Sequence, residues 1–90
     1  MYDQSQATST LNIQENIKIF PNPTTGLVTI NNSENSVLKI FNVLGDLIDQ
    51  VNLTNDVEYI DLSEFSDGIY YFEIYKDKLI FTKKIIKNTK

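Results

Sequence analysis

The chain has 90 residues, which is enough for one domain with a modest core. Its hydrophobic content of 41%, with five Phe and five Tyr, indicates a β-rich globular domain rather than a disordered segment. It contains no cysteine and no histidine, which excludes disulfide bonds, ordinary zinc sites and Ser-His-Asp or Cys-His catalysis. The net charge is −4 and there is no arginine, which disfavours nucleic-acid binding.

Charge is distributed unevenly along the chain. Residues 1–75 contain two lysines and eleven acidic residues, whereas residues 76–90 contain six lysines and one aspartate. A basic end on an acidic body predicts either a specific interaction of that end or a protective role for lysines at the edge of a sheet. No apolar run is long enough to span a membrane, and the residues after Met1 do not show the basic-then-apolar pattern of a signal peptide. We expect an exported domain of this kind to take its signal peptide from a longer parent chain.

The predicted elements begin after a polar segment. Residues 1–16 lack sustained periodicity, which predicts a linker, and residues 17–90 are the predicted domain. Short alternating apolar runs predict seven strands, at residues 17–20, 27–31, 36–43, 47–53, 57–62, 69–75 and 79–87. No helical pattern of useful length occurs between them. The expected fold is an all-β, antiparallel, immunoglobulin-like β-sandwich of about seven strands.

The segment PNPTTG at residues 21–26 connects the first two predicted strands. It is not a phosphate-binding loop, because it has no lysine beside Ser/Thr, a strand pattern follows it, and Pro21 and Pro23 have no backbone N–H for an anion. The prolines stiffen the backbone, Asn22 and Thr24 can hydrogen-bond local backbone, and Gly26 permits positive φ. The residues alone predict a rigid strand-to-strand connection.

Alternation assigns the faces of several strands. In GIYYFEIY, the even positions from Tyr70 to Ile74 share one face, and Glu73 marks the other face as the wetter one. The last run, LIFTKKIIK, has apolar residues in both phases, so its register stays open. The predicted core contains Ile30, Leu38, Ile40, Phe72 and Ile74.

The segment DLSEFSDG before the sixth strand raises the question of calcium, because Asp61, Glu64 and Asp67 lie close in sequence. Their spacing is not that of an EF-hand, and a capped turn with Phe65 at the end of the sandwich is the favoured interpretation. We therefore expect no metal site and no cofactor.

Tyrosines suggest two further structures. Tyr70 is a candidate for the tyrosine corner of immunoglobulin-like sandwiches, with a structural role, and Gly68 before it is predicted to adopt positive φ. Tyr59, Tyr71 and Tyr75 are candidates for an aromatic platform that binds sugar, although aromatic residues on strands more often serve packing.

Four motifs taken together resemble the C-terminal sorting domain, type A, of cargo of the type IX secretion system. The resemblance covers about residues 17–90 and rests on the segments FPNPTTG, IFNVLGDLI, IDLSEFSDGIYYFEI and TKKIIK. The family's recurrent elements are Pro-x-Pro-x-x-Gly, an N/D-x-x-G hairpin, Gly-x-Tyr and a final basic-aliphatic strand. They fall on Pro21, Pro23 and Gly26, on Asn42 and Gly45, on Gly68 and Tyr70, and on Lys83 to Lys87.

The resemblance implies a secretion signal that directs a larger cargo across the bacterial outer membrane of Bacteroidetes-type bacteria. The implied partners are the outer-membrane translocon and shuttle components, and a sortase-like peptidase that cuts within residues 1–16. The cargo would pass through the periplasm and become surface-attached or be released. The implied recognition residues are Pro21, Pro23, Gly26, Gly45, Gly68, Tyr70, Lys83, Lys84, Ile85, Ile86 and Lys87. No catalytic role is expected, because a small sandwich lacks a cleft.

The C-terminal strand carries the sharpest expectation. Ile85 and Ile86 are expected to anchor it, either in the sandwich or in the groove of a receptor. Lys83, Lys84 and Lys87 are expected to offer positive charge to an acidic translocon surface. The alternative function is an accessory carbohydrate-binding or adhesion module of a secreted protein, and a plain spacer domain is a third interpretation.

Overall fold

A computed structural model describes residues 17–89, and within them the chain forms seven strands and no helix. The strands are β1 Lys18–Phe20, β2 Leu27–Asn31, β3 Ser36–Asn42, β4 Leu47–Leu53, β5 Val57–Asp61, β6 Gly68–Lys76 and β7 Leu79–Lys87. All seven predicted strands are confirmed, with differences of one residue at some ends. The predicted linker at residues 1–16 lies outside the described residues, as does Lys90.

The strands form two antiparallel sheets. The three-stranded sheet has the order β1-β2-β5, and the four-stranded sheet has the order β4-β3-β6-β7. The predicted all-β sandwich is confirmed. Its fourth strand pairs with the third strand, whereas in constant-type immunoglobulin domains the fourth strand joins the sheet of the first, second and fifth. As a result β4 and β7 are the two edges of the larger sheet.

The core lies between the two sheets. All five predicted core residues are fully buried, in line with the alternation seen in the sequence. The register places Leu38 beside Ile74 and Ile40 beside Phe72, so β3 and β6 form the centre of the larger sheet's inner face. The buried apolar residues are Ile17, Ile19, Val28, Ile30, Leu38, Ile40, Leu53, Ile60, Leu62, Tyr70, Phe72, Ile74 and Ile85.

Pairing with β6 settles the register of β7, which the sequence left open. Tyr70 pairs with Ile85 and Ile74 pairs with Phe81, so the odd-numbered residues of β7 face the same side as the core residues of β6. Lys83 pairs with Phe72 on this inner face, yet it is exposed, since β7 is an edge strand. A charged residue that points inward on an edge strand helps to prevent that edge from pairing with a strand of another molecule.

The connection between β5 and β6 contains the predicted tyrosine corner. The hydroxyl of Tyr70 donates to the carbonyl oxygen of Ser66 at 2.6 Å, and the Tyr70 side chain is buried. The ring of Phe65 lies 5.5 Å from that of Tyr70, measured between centroids, and packs against the core as expected. The predicted structural role of Tyr70 is confirmed.

Gly68 has a φ of +154°, as predicted, and a Cβ at this position would meet nothing within 4 Å. We therefore expect Gly68→Val to lower the free energy of unfolding by about 1–3 kcal/mol through backbone strain alone. Denaturant unfolding of the purified domain measures this difference. Gly26→Ala is the control, because Gly26 does not have positive φ and its Cβ would lie at an ordinary 3.8 Å from Ser63. Equal stabilities for the two variants would contradict the prediction.

Candidate recognition site

The second half of β7 is covered by the proline segment rather than open at the edge. The side chain of Asn22 donates to the carbonyl oxygen of Lys84 at 2.8 Å and accepts from the backbone N–H of Ile86 at 3.0 Å. An amide side chain thereby takes the place of a strand partner. The sequence suggested local hydrogen bonds for Asn22, and its partners lie instead more than sixty residues away.

Thr24 continues this contact through its backbone. Its N–H donates to the carbonyl oxygen of Ile86 at 2.8 Å, and its carbonyl oxygen accepts from Asn88 at 2.9 Å. These bonds form a parallel bridge between Thr24 and Lys87. The buried hydroxyl of Thr24 donates to the carbonyl oxygen of Leu27 and accepts from the N–H of Gly26, which are the expected local bonds. The proline segment is therefore a rigid strand-to-strand connection, as predicted, and also a clamp on the C-terminal strand.

Gly26 does not use the positive φ that glycine permits. Its position is fixed instead by two hydrogen bonds. Its N–H donates to the hydroxyl of Thr24 at 3.0 Å, and its carbonyl oxygen accepts from the N–H of Leu62 at 2.7 Å. Pro21 and Pro23 are exposed on either side of Asn22, where they fix the backbone that presents the Asn22 amide.

Lys87 is the clearest correction to the expected site. Its side chain is only 5% exposed and forms an ion pair with Asp67 at 3.2 Å. Its ammonium group also donates to the carbonyl oxygen of Phe65 at 2.9 Å. The ammonium group of Lys87 is thus buried and paired within the domain. The sequence pattern could not show the burial of Lys87, because the register of β7 determines that this side chain points inward.

Asp67 ties the end of the chain to the β5–β6 connection. Besides Lys87, it accepts hydrogen bonds from the backbone N–H and the hydroxyl of Thr89, at 3.2 and 2.8 Å. The bonds from Thr89, followed by that from Lys87, lower the pKa of the Asp67 carboxyl below its ordinary value of 3.8. The sequence suggested Asp67 only as a doubtful calcium ligand, and its role in the structure is to hold the C-terminus.

The lowered pKa of Asp67 predicts a pH dependence of stability. Since the folded state favours the ionised carboxylate, this contribution is present above the ordinary pKa and is lost as pH falls through the folded-state pKa. Asp67→Asn should therefore be less stable than the parent chain at neutral pH, and the difference should shrink below about pH 4. Thermal unfolding of both proteins across this range checks it. A difference that stayed constant down to strong acid would contradict the prediction.

The remaining predicted residues of β7 divide between core and surface. Ile85 is fully buried, Ile86 is half-buried on the outer face, and Lys83 and Lys84 are exposed. The anchoring role expected for Ile85 agrees with this placement. Of the three lysines expected to face a partner, Lys83 and Lys84 alone are accessible.

The four sequence elements meet at one end of the sandwich. The register aligns Asn42 of β3, Tyr70 of β6 and Ile85 of β7 in one row across the sheet. Thr24 of the proline segment lies beside Lys87, at the same end. Elements that are up to more than sixty residues apart in sequence therefore meet around the end of β7.

The hairpin between β3 and β4 is the fourth of these elements. The side chain of Asn42 accepts hydrogen bonds from the N–H groups of Leu44 and Asp46 at 2.9 and 3.0 Å. Gly45 has a φ of +92°, a backbone conformation that glycine adopts at a lower cost than other residues. Asn42 and Gly45 therefore define the shape of this hairpin.

Two other candidate sites do not form as such. Tyr59 lies on the three-stranded sheet, whereas Tyr71 and Tyr75 lie on β6 of the other sheet, so the three do not share a platform. The Nζ of Lys39 lies over the Tyr75 ring, 4.9 Å from its centroid. Among residues 17–89 no three acidic side chains gather closely enough to hold a metal ion.

Comparison with known protein families gives a match. The sequence profile of a family described as "Secretion system C-terminal sorting domain" matches residues 18–88. No curated relative matches the chain at a significant level. The described part of the chain has no helix that is long and apolar enough to cross a membrane.

Proposed function

The chain belongs to the family of secretion-system C-terminal sorting domains, and on this premise we propose that it directs a larger cargo protein across the bacterial outer membrane. As a type IX sorting signal, it implies a secreted or cell-surface cargo. The family is not an enzyme family, and the domain acts by being recognised. The cargo passes through the periplasm before it meets the outer-membrane translocon.

The observation that carries the proposal is the state of the C-terminal strand. β7 is an edge strand whose second half is fixed by Asn22 and Thr24. Its exposed lysines, Lys83 and Lys84, are therefore held on a rigid element. A preorganised site loses little conformational entropy when a partner binds.

The partners that we propose are the outer-membrane translocon and the shuttle components of the type IX system. An acidic surface on one of them attracts Lys83 and Lys84 and speeds the encounter, an effect that salt weakens. We also propose that residues 17–90 are the folded signal and that a sortase-like peptidase cuts within residues 1–16. The cargo is then attached to the surface or released.

The experiment is an export assay with a periplasmic reporter that carries residues 1–90 at its C-terminus, in a host that has the secretion machinery. The parent chain should bring the reporter outside the cell. The charge reversal Lys83→Glu with Lys84→Glu should fold normally, because both side chains are exposed and their loss does not disturb the core. This variant should stay in the periplasm, because an acidic partner surface would repel it.

The matched control is Lys18→Glu with Lys78→Glu, which changes the net charge equally at two other exposed lysines. Folding of each variant is checked by thermal unfolding of the purified domain. Failure of the parent chain to export the reporter would refute the proposed function. Normal export of the Lys83/Lys84 variant would refute the role of these lysines.

A further inference from the structure

An apolar knob stands at the tip of the β3–β4 hairpin. It consists of Val43, Leu44, Leu47 and Ile48, all of them exposed, with Val43 at 62% and Leu44 at 83%. Single exposed apolar residues are common on protein surfaces, whereas four of them within six positions of one hairpin are characteristic of an interaction site.

The knob is held in place by the hairpin itself. The hydrogen bonds from Leu44 and Asp46 to the Asn42 side chain fix the turn that carries it. An apolar side chain on a fixed turn can enter a pocket of a partner without a large loss of conformational entropy.

A groove continues from the knob across the outer face of the four-stranded sheet. It has a volume of about 360 Å³ and is lined by Phe41, Val43, Tyr71, Glu73 and Thr82, with Asn42 and Gly45 at the hairpin. The register sets Phe41 beside Tyr71 and Tyr71 beside Lys84. The groove therefore begins at the knob, and the exposed Lys84 of the C-terminal strand lies next to Tyr71 in its lining.

Charge around this surface selects the kind of partner. Asp46 and Asp49 flank Leu47 and Ile48 in sequence and are exposed, whereas Lys39 lies on the outer face beside Glu73, with its ammonium group over the Tyr75 ring. In a two-fold dimer built on the knob, the aspartates of the two copies would approach each other, which disfavours a second copy of this chain. The complementary partner has an apolar pocket for the knob with basic groups around it, and acidic groups that face Lys84.

We propose that the knob, the groove and Lys84 form one docking surface for a protein of the export machinery that presents an apolar pocket with a basic rim. The proposal rests on the proposed function and extends it. Recognition involves the hairpin as well as the C-terminal strand, although the two are about forty residues apart in sequence.

The test compares Leu44→Ser with Leu27→Ser in the same export assay. Leu27 is 55% exposed on the outer side of the three-stranded sheet, so both variants replace an exposed leucine and leave the core intact. Burial of a leucine changes an equilibrium constant by about tenfold or more. We expect Leu44→Ser to lose most of the extracellular reporter and Leu27→Ser to export it like the parent chain.

Each result has a distinct meaning. Failure of the parent chain to export the reporter would refute the proposed function itself. Equal export by the parent chain and by Leu44→Ser would overturn this inference alone. Size-exclusion chromatography with light scattering is measured in parallel. A parent dimer that Leu44→Ser converts to a monomer would identify the knob as an interface between copies and would also overturn the inference.

Discussion

Phe72→Ala is expected to lower the free energy of unfolding by about 3–5 kcal/mol, because it removes a fully buried ring from the centre of the core. Phe72 lies on β6 beside Ile40 of β3 and is the largest of the fully buried side chains in the described part of the chain. A small domain has a total stability of about 5–15 kcal/mol, so this change removes a large share of it. Urea unfolding of the purified domain measures the loss as a lower midpoint with an unchanged slope.

Two further variants keep the Phe72 experiment interpretable. Phe72→Leu retains most of the volume and is expected to cost about 1–1.5 kcal/mol, which keeps the measurement possible if the alanine variant does not fold. Tyr59→Ala removes an exposed aromatic ring and should change the stability by about 0.5 kcal/mol or less. A Phe72→Ala variant as stable as Tyr59→Ala would contradict the assigned core.

Lys87→Ala is the second change with a large expected effect, a loss of about 2–3 kcal/mol in the free energy of unfolding. The variant removes the ion pair with Asp67, leaves the carbonyl oxygen of Phe65 without this donor, and deletes a buried aliphatic stem. Asp67 is 43% exposed. Water therefore replaces part of the lost interaction, and the cost stays below the roughly 3–5 kcal/mol of a fully buried pair.

Lys83→Ala is the matched control for Lys87→Ala. Both lysines lie on the inner face of β7, but Lys83 is exposed, so its removal should change the stability by about 0.5 kcal/mol or less. Chemical denaturation of the two variants side by side gives the comparison. Equal stabilities would show that the buried ion pair does not stabilise the domain. The expected result assigns Lys87 to stability and leaves Lys83 available for recognition.

The distinction between these lysines bears on how deletions at the C-terminus are interpreted. Removal of residues 83–90 would delete Lys87 together with the other partners of Thr24 and Asp67. Such a truncation destabilises the sandwich and removes the exposed lysines in one step. Charge reversal at Lys83 and Lys84 separates recognition from folding, since neither side chain is buried.

Much of the candidate site was predictable from the sequence, and its connections were not. Gly68 and Tyr70 were identified by local spacing, because the corner closes over four residues. The partners of Asn22 were not identified, because they are the backbone groups of Lys84 and Ile86. A backbone partner leaves no signal in the side-chain pattern, and only the docking of the proline segment against β7 reveals it.

The sequence by itself determined the strands, their faces and the core. Period-two alternation fixes which side chains share a face, and Gly, Pro and Asn mark the turns, so local chemistry was sufficient. The tertiary structure alone decided the register of β7, the burial of Lys87 and the meeting of four separated elements at one end of the sandwich. In β7 apolar residues occupy both phases of the alternation, so its own sequence does not determine which face points inward. Pairing with β6 and the clamp of Asn22 and Thr24 determine that face.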